Sequence, residues 1–257
     1  MKKRVISAIV ALMIFVPLVI IGGVWFKLAV TILAFLGMKE FLDLPHNKKR
    51  PIYVDVSFYA FAMLLTYVSS RREIYYLLSA LIPMIMVIYC NDNNKYSADD
   101  AFRLIGMVFL IGTIFNKFII LRNDNIYLFI YLFVITMITD TFAHMGGTLI
   151  GKHKLAPKIS PNKTWEGSIT GGFFGMLCAS VFYYIFINSN VNILALLIVT
   201  LFLSTLGQLG DLFFSCVKRK YKVKDFSNIM PGHGGVLDRL DSIIFVMIGY
   251  IIISGII

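Results

Sequence analysis

Between Ser215 and Ser242 the chain reads SCVKRKYKVKDFSNIMPGHGGVLDRLDS, which places six basic residues and, with neighbouring Asp211, four acidic ones around a Gly-His-Gly-Gly turn. Asp211, Asp238 and Asp241 fall at or inside the ends of apolar segments, where each carboxylate costs roughly 2.5–3.5 kcal/mol on an insertion scale unless it is paired or metal-bound. Asp238 and Asp241 are three apart, so a helix starting near Gly235 carries both on one side, close to its positive N-terminal end. With Asp211 they form an oxygen-rich set of the kind Mg²⁺ takes, one or two carboxylates completed by substrate phosphates. The plainer alternative is a helix cap for Asp238 and a salt bridge for Asp241.

Three glycines in Pro231-Gly232-His233-Gly234-Gly235 let the backbone approach a ligand closely and offer N–H groups to phosphate oxygens. His233 between them is placed to contact phosphate or to act as acid or base. Upstream, Ser204, Gln208, Asp211 and Ser215 recur at spacings that line one helix face. For the serines that stripe also reads as interhelical hydrogen bonding. A second polar segment, GKHKLAPKISPNKTWEG over 151–167, sets the hydroxyls of Ser160 and Thr164 beside Lys163, a combination suited to triphosphate oxygens, with Trp165 as an interface anchor. Gly146 to Lys152 fits the spacing of a phosphate loop but has His153 where Ser or Thr is needed and follows an apolar helix, so it is discounted. Asp140 and His144 are four apart on one face, with no evident third ligand to make a zinc site.

The elements that must hold these groups are membrane spans. The chain is 58% hydrophobic and 15% charged, with a mean hydropathy of +0.81, well beyond the apolar share of soluble domains, about 45–50%. Runs of about 20 apolar residues cross a bilayer core as helices, and lipid excludes open sheets. The expected architecture is an all-α polytopic membrane protein of about nine transmembrane helices, near 5–21, 24–38, 52–69, 74–90, 103–121, 126–146, 167–187, 191–214 and 240–257. With a cytoplasmic N-terminus, the cytoplasmic side holds the Lys/Arg of 2–4, 39–50, 95–103, 152–163 and 218–239, 19 of the 24, as the positive-inside rule requires. Its net charge of +10 suits anionic headgroups and nucleotides. Lys2-Lys3-Arg4 before an apolar run resembles a signal peptide, but hydrophobicity resumes after Gly22-Gly23 without a cleavage site, so it reads as an uncleaved span. Cys90, Cys178 and Cys216 are scattered and suggest neither a disulfide framework nor a thiolate site. Without a linker or repeat, residues 1–257 read as one membrane domain, with an N-terminal helical part (1–130) and a catalytic C-terminal half (131–257).

These residues together resemble the signature of the CDP-diacylglycerol synthases, or phosphatidate cytidylyltransferases. The family pattern is met by Ser215, Lys218, Arg219, Lys224, Asp225, Ser227, Pro231, His233, Gly234, Gly235, Asp238, Arg239 and Asp241, and the 151–167 segment is similar to the family's second conserved block. Met230 and His144 stand where the family more often has Leu, Ile or Phe and Tyr. The resemblance implies transfer of a cytidylyl group from CTP to phosphatidate in a bacterial cytoplasmic membrane, with the active site facing the cytoplasm. It implies Asp211 and Asp238 as Mg²⁺ ligands with room for a second cation, and Asp241 beside them. Lys163, Lys218, Arg219 and Arg239 would neutralise phosphate groups. Ser160, Pro161, Thr164, Lys224, Asp225, Gly234 and Gly235 would line the substrates, and His233 would assist. The partners implied are CTP, phosphatidate and membrane lipid; nucleic acid is not among them, and a homodimer is left open. A CTP-using lipid kinase and a transporter are the competing readings; transporters show inverted repeats, which this sequence lacks.

Overall fold

The computed structural model describes residues 2–45, 50–68, 72–90, 96–230, 232 and 234–255. Among them are nine α-helices and one small sheet, and the chain divides into two compact units. Lys48, Lys49, Arg71 and Lys95, which entered the charge count, and Pro231 and His233 of the turn lie outside the described residues.

One unit comprises Met1–Asn123 and Phe226–Leu237. It contains α1 (Lys2–Ile21), α2 (Gly23–Leu42), α3 (Ile52–Tyr67), α4 (Arg72–Cys90) and nearly all of α5 (Ala98–Asp124). Its core is built from the buried faces of α2, α3 and α5, including Phe26, Met38, Phe58, Leu65, Ile111 and Phe115. Where α3 ends, its last carbonyls are taken up from α5: Asn116 Nδ2 donates to Thr66 O at 2.8 Å and to Val68 O at 3.2 Å. Likewise Arg122 Nε donates to Val19 O at 2.7 Å, satisfying a carbonyl of α1. In lipid such terminal carbonyls have no water to turn to.

The other unit comprises Asp124–Asp225 and Asp238–Ile257. It contains α6 (Ile126–Leu149), β1 (Lys154–Ala156), β2 (Ser160–Thr164), α7 (Trp165–Phe186), α8 (Ile193–Lys220) and all but the first residue of α9 (Leu237–Ser254). Side-chain caps start three of these helices. Asn125 accepts from Leu128 N at 3.0 Å, Thr164 from Gly167 N at 3.1 Å, and Asn192 from Ala195 N at 3.2 Å. The closest packing is that of α6 on α7, and glycine makes it possible. A Cβ on Gly171 would come within 2.6 Å of the Thr139 carbonyl oxygen, so the two backbones meet as small residues allow in membranes. Hydroxyls then bridge the helices: Thr139 Oγ1 to Ser204 Oγ at 2.7 Å, Tyr131 OH to Thr200 Oγ1 at 2.7 Å, and Ser180 Oγ to Thr200 Oγ1 at 3.1 Å.

Among the described residues four helices, α5 to α8, are long and apolar enough to cross a membrane, and α3 and Glu73–Tyr89 are shorter apolar helices. Large apolar side chains also cover outward faces of α6 to α8, among them Met137, Ile169, Val181 and Ile198, with Ile169 68% exposed. Such faces require lipid. The chain is therefore a mostly helical membrane protein.

The all-helical expectation misses one element. The segment after α6 is an antiparallel hairpin, with Lys154 opposite Thr164 and Ala156 opposite Ser160. It lies in the polar stretch outside the apolar runs, where backbone groups released from a helix must find partners in each other. Glu166, in the first turn of α7, closes the base of the hairpin by accepting from Lys152 N at 3.1 Å and His153 N at 3.2 Å, and it meets His153 Nδ1 at 2.6 Å.

Candidate active site

A cavity of about 640 Å³ opens in the unit built on α6 to α9, within the range of about 300–1,000 Å³ usual for small-molecule sites. Its wall carries Asp140, Asp211, Asp225, Asp238 and Asp241 together with Lys154, Lys163, Lys218 and Arg239. Charges of both signs, drawn from α6, the hairpin, α8 and α9, thus face one space.

Two ion pairs organise that wall. Lys163 Nζ, on β2, lies 2.6 Å from Asp211 Oδ2 on α8, with both side chains about a quarter to a third exposed. Lys218 Nζ, seven residues further along α8, lies 2.6 Å from Asp238 Oδ1 at the start of α9, and here the side chains are only 10% and 4% exposed. Asp211 also accepts from Ser215 Oγ at 3.3 Å. Asp241 is buried, and Asp211, Asp140 and Lys218 all lie close enough for their charges to act on it. Asp140 hydrogen-bonds Ser242.

Of the residues singled out from the sequence, the structure brings Lys163, Thr164, Asp211, Lys218, Asp225, Asp238, Arg239 and Asp241 to this cavity, and Asp140 and His144 with them. Thr164 lines the cavity from a buried position, and its hydroxyl oxygen accepts from Gly167 N as the cap of α7, a bond that does not use its O–H. Others go elsewhere. Ser160 and Pro161 sit in β2 but do not line the cavity, whereas Asn162, Lys163 and Thr164 of the same strand do; the register of the hairpin is irregular here, with four residues of β2 spanning two of β1. Arg219 points off the wall: its Nε donates to Ile159 O at 3.2 Å and its NH1 to Val223 O at 3.0 Å, which ties the end of α8 to the hairpin. Lys224 does not line the cavity either. Gly234 and Gly235 belong to the other unit, where both are buried and Gly234 takes a positive φ of 82°.

The stripe on α8 divides by depth. Ser204 bonds Thr139 as helix glue, whereas Gln208 and Asp211 reach the cavity. Gln208 is fixed by Ser168, whose Oγ donates to its Oε1 at 2.5 Å while its Nε2 donates back to Ser168 O at 3.2 Å. Ser168, Asn162 and Ser242 are further polar wall residues that the sequence alone did not single out. Ser168 could have been found as the residue one turn after the Thr164 cap on the α7 face that meets α8.

The donor set suits a hard cation. Carboxylate oxygens from α6, α8 and α9 share the cavity, and Mg²⁺ usually takes one or two of these plus phosphate oxygens and waters. Among the described residues no three His, Cys, Asp or Glu side chains converge as a ready-made metal cluster, so any cation here would draw part of its shell from a ligand.

A helical membrane protein whose carboxylates and ammonium groups line one cavity is built for phosphate chemistry at a bilayer. Residues 2–256 match the cytidylyltransferase family. The chain is 39% identical over 258 residues to the phosphatidate cytidylyltransferase of Staphylococcus haemolyticus, with 96% of each chain covered. It is 38% identical over 251 residues to the enzyme of that name from Staphylococcus aureus, and 37% over 251 residues to that from Staphylococcus epidermidis, again with 96% of each chain covered. The chain belongs to the cytidylyltransferase family.

Proposed function

We infer that this chain is a phosphatidate cytidylyltransferase, a membrane nucleotidyltransferase that converts CTP and phosphatidate to CDP-diacylglycerol and pyrophosphate. Beside the family membership, one observation supports the reading: Lys163 with Asp211, and Lys218 with Asp238, bring residues to which the resemblance gives roles from separate segments onto one cavity wall.

The nucleophile is a phosphate oxygen already on the lipid. It forms the new P–O bond at the α-phosphorus of CTP as the bond to the β-phosphoryl oxygen breaks and pyrophosphate leaves. No Ser, Cys or His nucleophile is needed, so the protein's share is positioning and charge neutralisation. Lys163, Lys218 and Arg239 neutralise the triphosphate and the lipid phosphate. Asp211 and Asp238 are the residues that would hold Mg²⁺, with Asp241 behind them and room for a second cation. Bound there, the cation would supply charge stabilisation to the phosphoryl oxygens. His233 of the glycine-rich turn remains a proposed phosphate contact.

We propose further that all nine helices span the bacterial cytoplasmic membrane as one integral domain with a cytoplasmic N-terminus, so that CTP enters from the cytoplasm and the acyl chains of phosphatidate enter from the bilayer. A homodimer would carry two such cavities, and no nucleic-acid partner is proposed.

The test is which phosphate reaches the lipid. Purified protein in detergent, given phosphatidate, Mg²⁺ and CTP labelled in turn at the α- and γ-positions, puts the α-label into lipid and releases the γ-label as pyrophosphate. Label from the γ-position in lipid would make the protein a kinase, and lipid movement in liposomes without nucleotide consumption would make it a transporter.

A further inference from the structure

Glu40, near the end of α2, is 1% exposed, and a buried carboxylate is tolerated only where donors surround it. Its donors come from far along the chain. Oε1 accepts from Ser227 Oγ at 2.7 Å and from Val236 N at 2.7 Å, and Oε2 accepts from Leu237 N at 2.8 Å. Leu237 opens α9, and the first N–H groups of a helix have no acceptor within it. An anionic oxygen at that end is also favoured by the helix dipole. Such caps are normally supplied locally; here the cap is a side chain of another helix, about 197 residues away in sequence.

We propose that Glu40 is a positioning residue for catalysis: by clamping Val236 and Leu237 it fixes where α9 begins and therefore the helical phase of Asp238, the next residue. A shift in that phase would turn Asp238 away from Lys218, the partner it meets at 2.6 Å. Gly235 fits the same device. A Cβ there would collide with the Glu40 carboxylate, so the glycine serves the clamp by leaving it room.

The inference rests on the reading of Asp238 as part of a cytidylyl-transfer site, and the two can fail separately. Wild-type protein that makes no CDP-diacylglycerol would sink the reading itself. If wild type is active, E40Q is the test, because Gln keeps one acceptor oxygen but turns an N–H₂ towards one of the two backbone donors. In detergent-purified full-length protein, kcat per folded molecule is expected to fall about 10- to 100-fold, the usual effect of losing a group that orients a site residue, with KM for CTP within about threefold of wild type. Gly235→Ala is expected to lower kcat likewise, and the double variant to lose no more than the worse single one, since both break one clamp. Should E40Q fail to accumulate in folded form, Glu40→Asp, which keeps the charge but falls short of the donors, carries the same kcat and KM test. Wild-type kcat in the folded variant, a change confined to KM, or full additivity with Gly235→Ala would overturn the proposal.

Discussion

Lys218 and Asp238 form an ion pair less exposed than that of Lys163 and Asp211: Nζ and Oδ1 are 2.6 Å apart, and the two side chains retain 10% and 4% of their accessible surface. They come from the ends of two helices separated by the 221–236 segment, so the pair joins α8 to the start of α9 within one unit. Removal of one partner strands the other charge, which commonly costs about 3–5 kcal/mol at buried sites.

Lys218→Met should therefore lower the thermal midpoint in detergent by several degrees, and Lys218→Met with Asp238→Asn should restore much of it. Asp238→Asn alone should abolish turnover while leaving the protein inserted. Near-normal turnover of that variant in saturating Mg²⁺ would remove Asp238 from the site.

Lys163→Ala should raise KM for CTP by roughly tenfold or more, the worth of a charge-assisted hydrogen bond to phosphate. Ser204→Ala should leave KM close to wild type, because Ser204 is spent on Thr139 deeper in the bundle. Steady-state kinetics with CTP as the varied substrate separates the two. Equal, small effects would reduce the hairpin to a basic topogenic segment.

The α6–α7 contact makes a packing prediction. Gly171→Ala drives a methyl into the Thr139 carbonyl and Ala143 and should cost on the order of 1–3 kcal/mol. Gly172→Ala, one residue on, meets Gln208 and Leu201 only at ordinary contact distances of 3.6 and 3.7 Å. It should be neutral or slightly stabilising. Melting curves of the two variants side by side decide the matter; equal losses would mean that α6 and α7 are not packed through Gly171.

The proposed orientation places Lys222 on the cytoplasmic side and Asn190, between α7 and α8, on the other. A membrane-impermeant thiol reagent should label Lys222→Cys in inverted vesicles and Asn190→Cys in intact cells, in a background with the three native cysteines replaced. The opposite pattern would reverse the topology.

Hydropathy made the helices legible, since apolar runs of bilayer length have few other uses, and the spacing of Asp211, Asp238 and Asp241 disclosed the carboxylate set. The hairpin was hidden because its second strand, Ser-Pro-Asn-Lys-Thr, has neither β-branched alternation nor a two-residue turn signal. Arg219 and Ser160 looked like phosphate ligands by type, but side-chain direction at a helix end and in a bulged strand is set by tertiary partners such as Ile159 O. Glu40 stands apart from the polar second half of the chain, within a largely apolar helix. The signal was available, because a glutamate within an apolar helix is by default a functional candidate.

The 28 residues of α8 make a rod about 42 Å long at 1.5 Å per residue, against a hydrocarbon thickness of about 30 Å. If Ile193 marks one boundary, Asp211 stands about 27 Å along the rod, near the opposite boundary, and Lys218 about 37 Å along, beyond it. The same helix that anchors the protein is then a depth gauge, lifting its acidic group to the base of the headgroup layer and its basic group into it. A phosphatidate molecule could present its phosphate at that level with its acyl chains still among those of its neighbours, so the reaction would require no extraction of lipid from the bilayer.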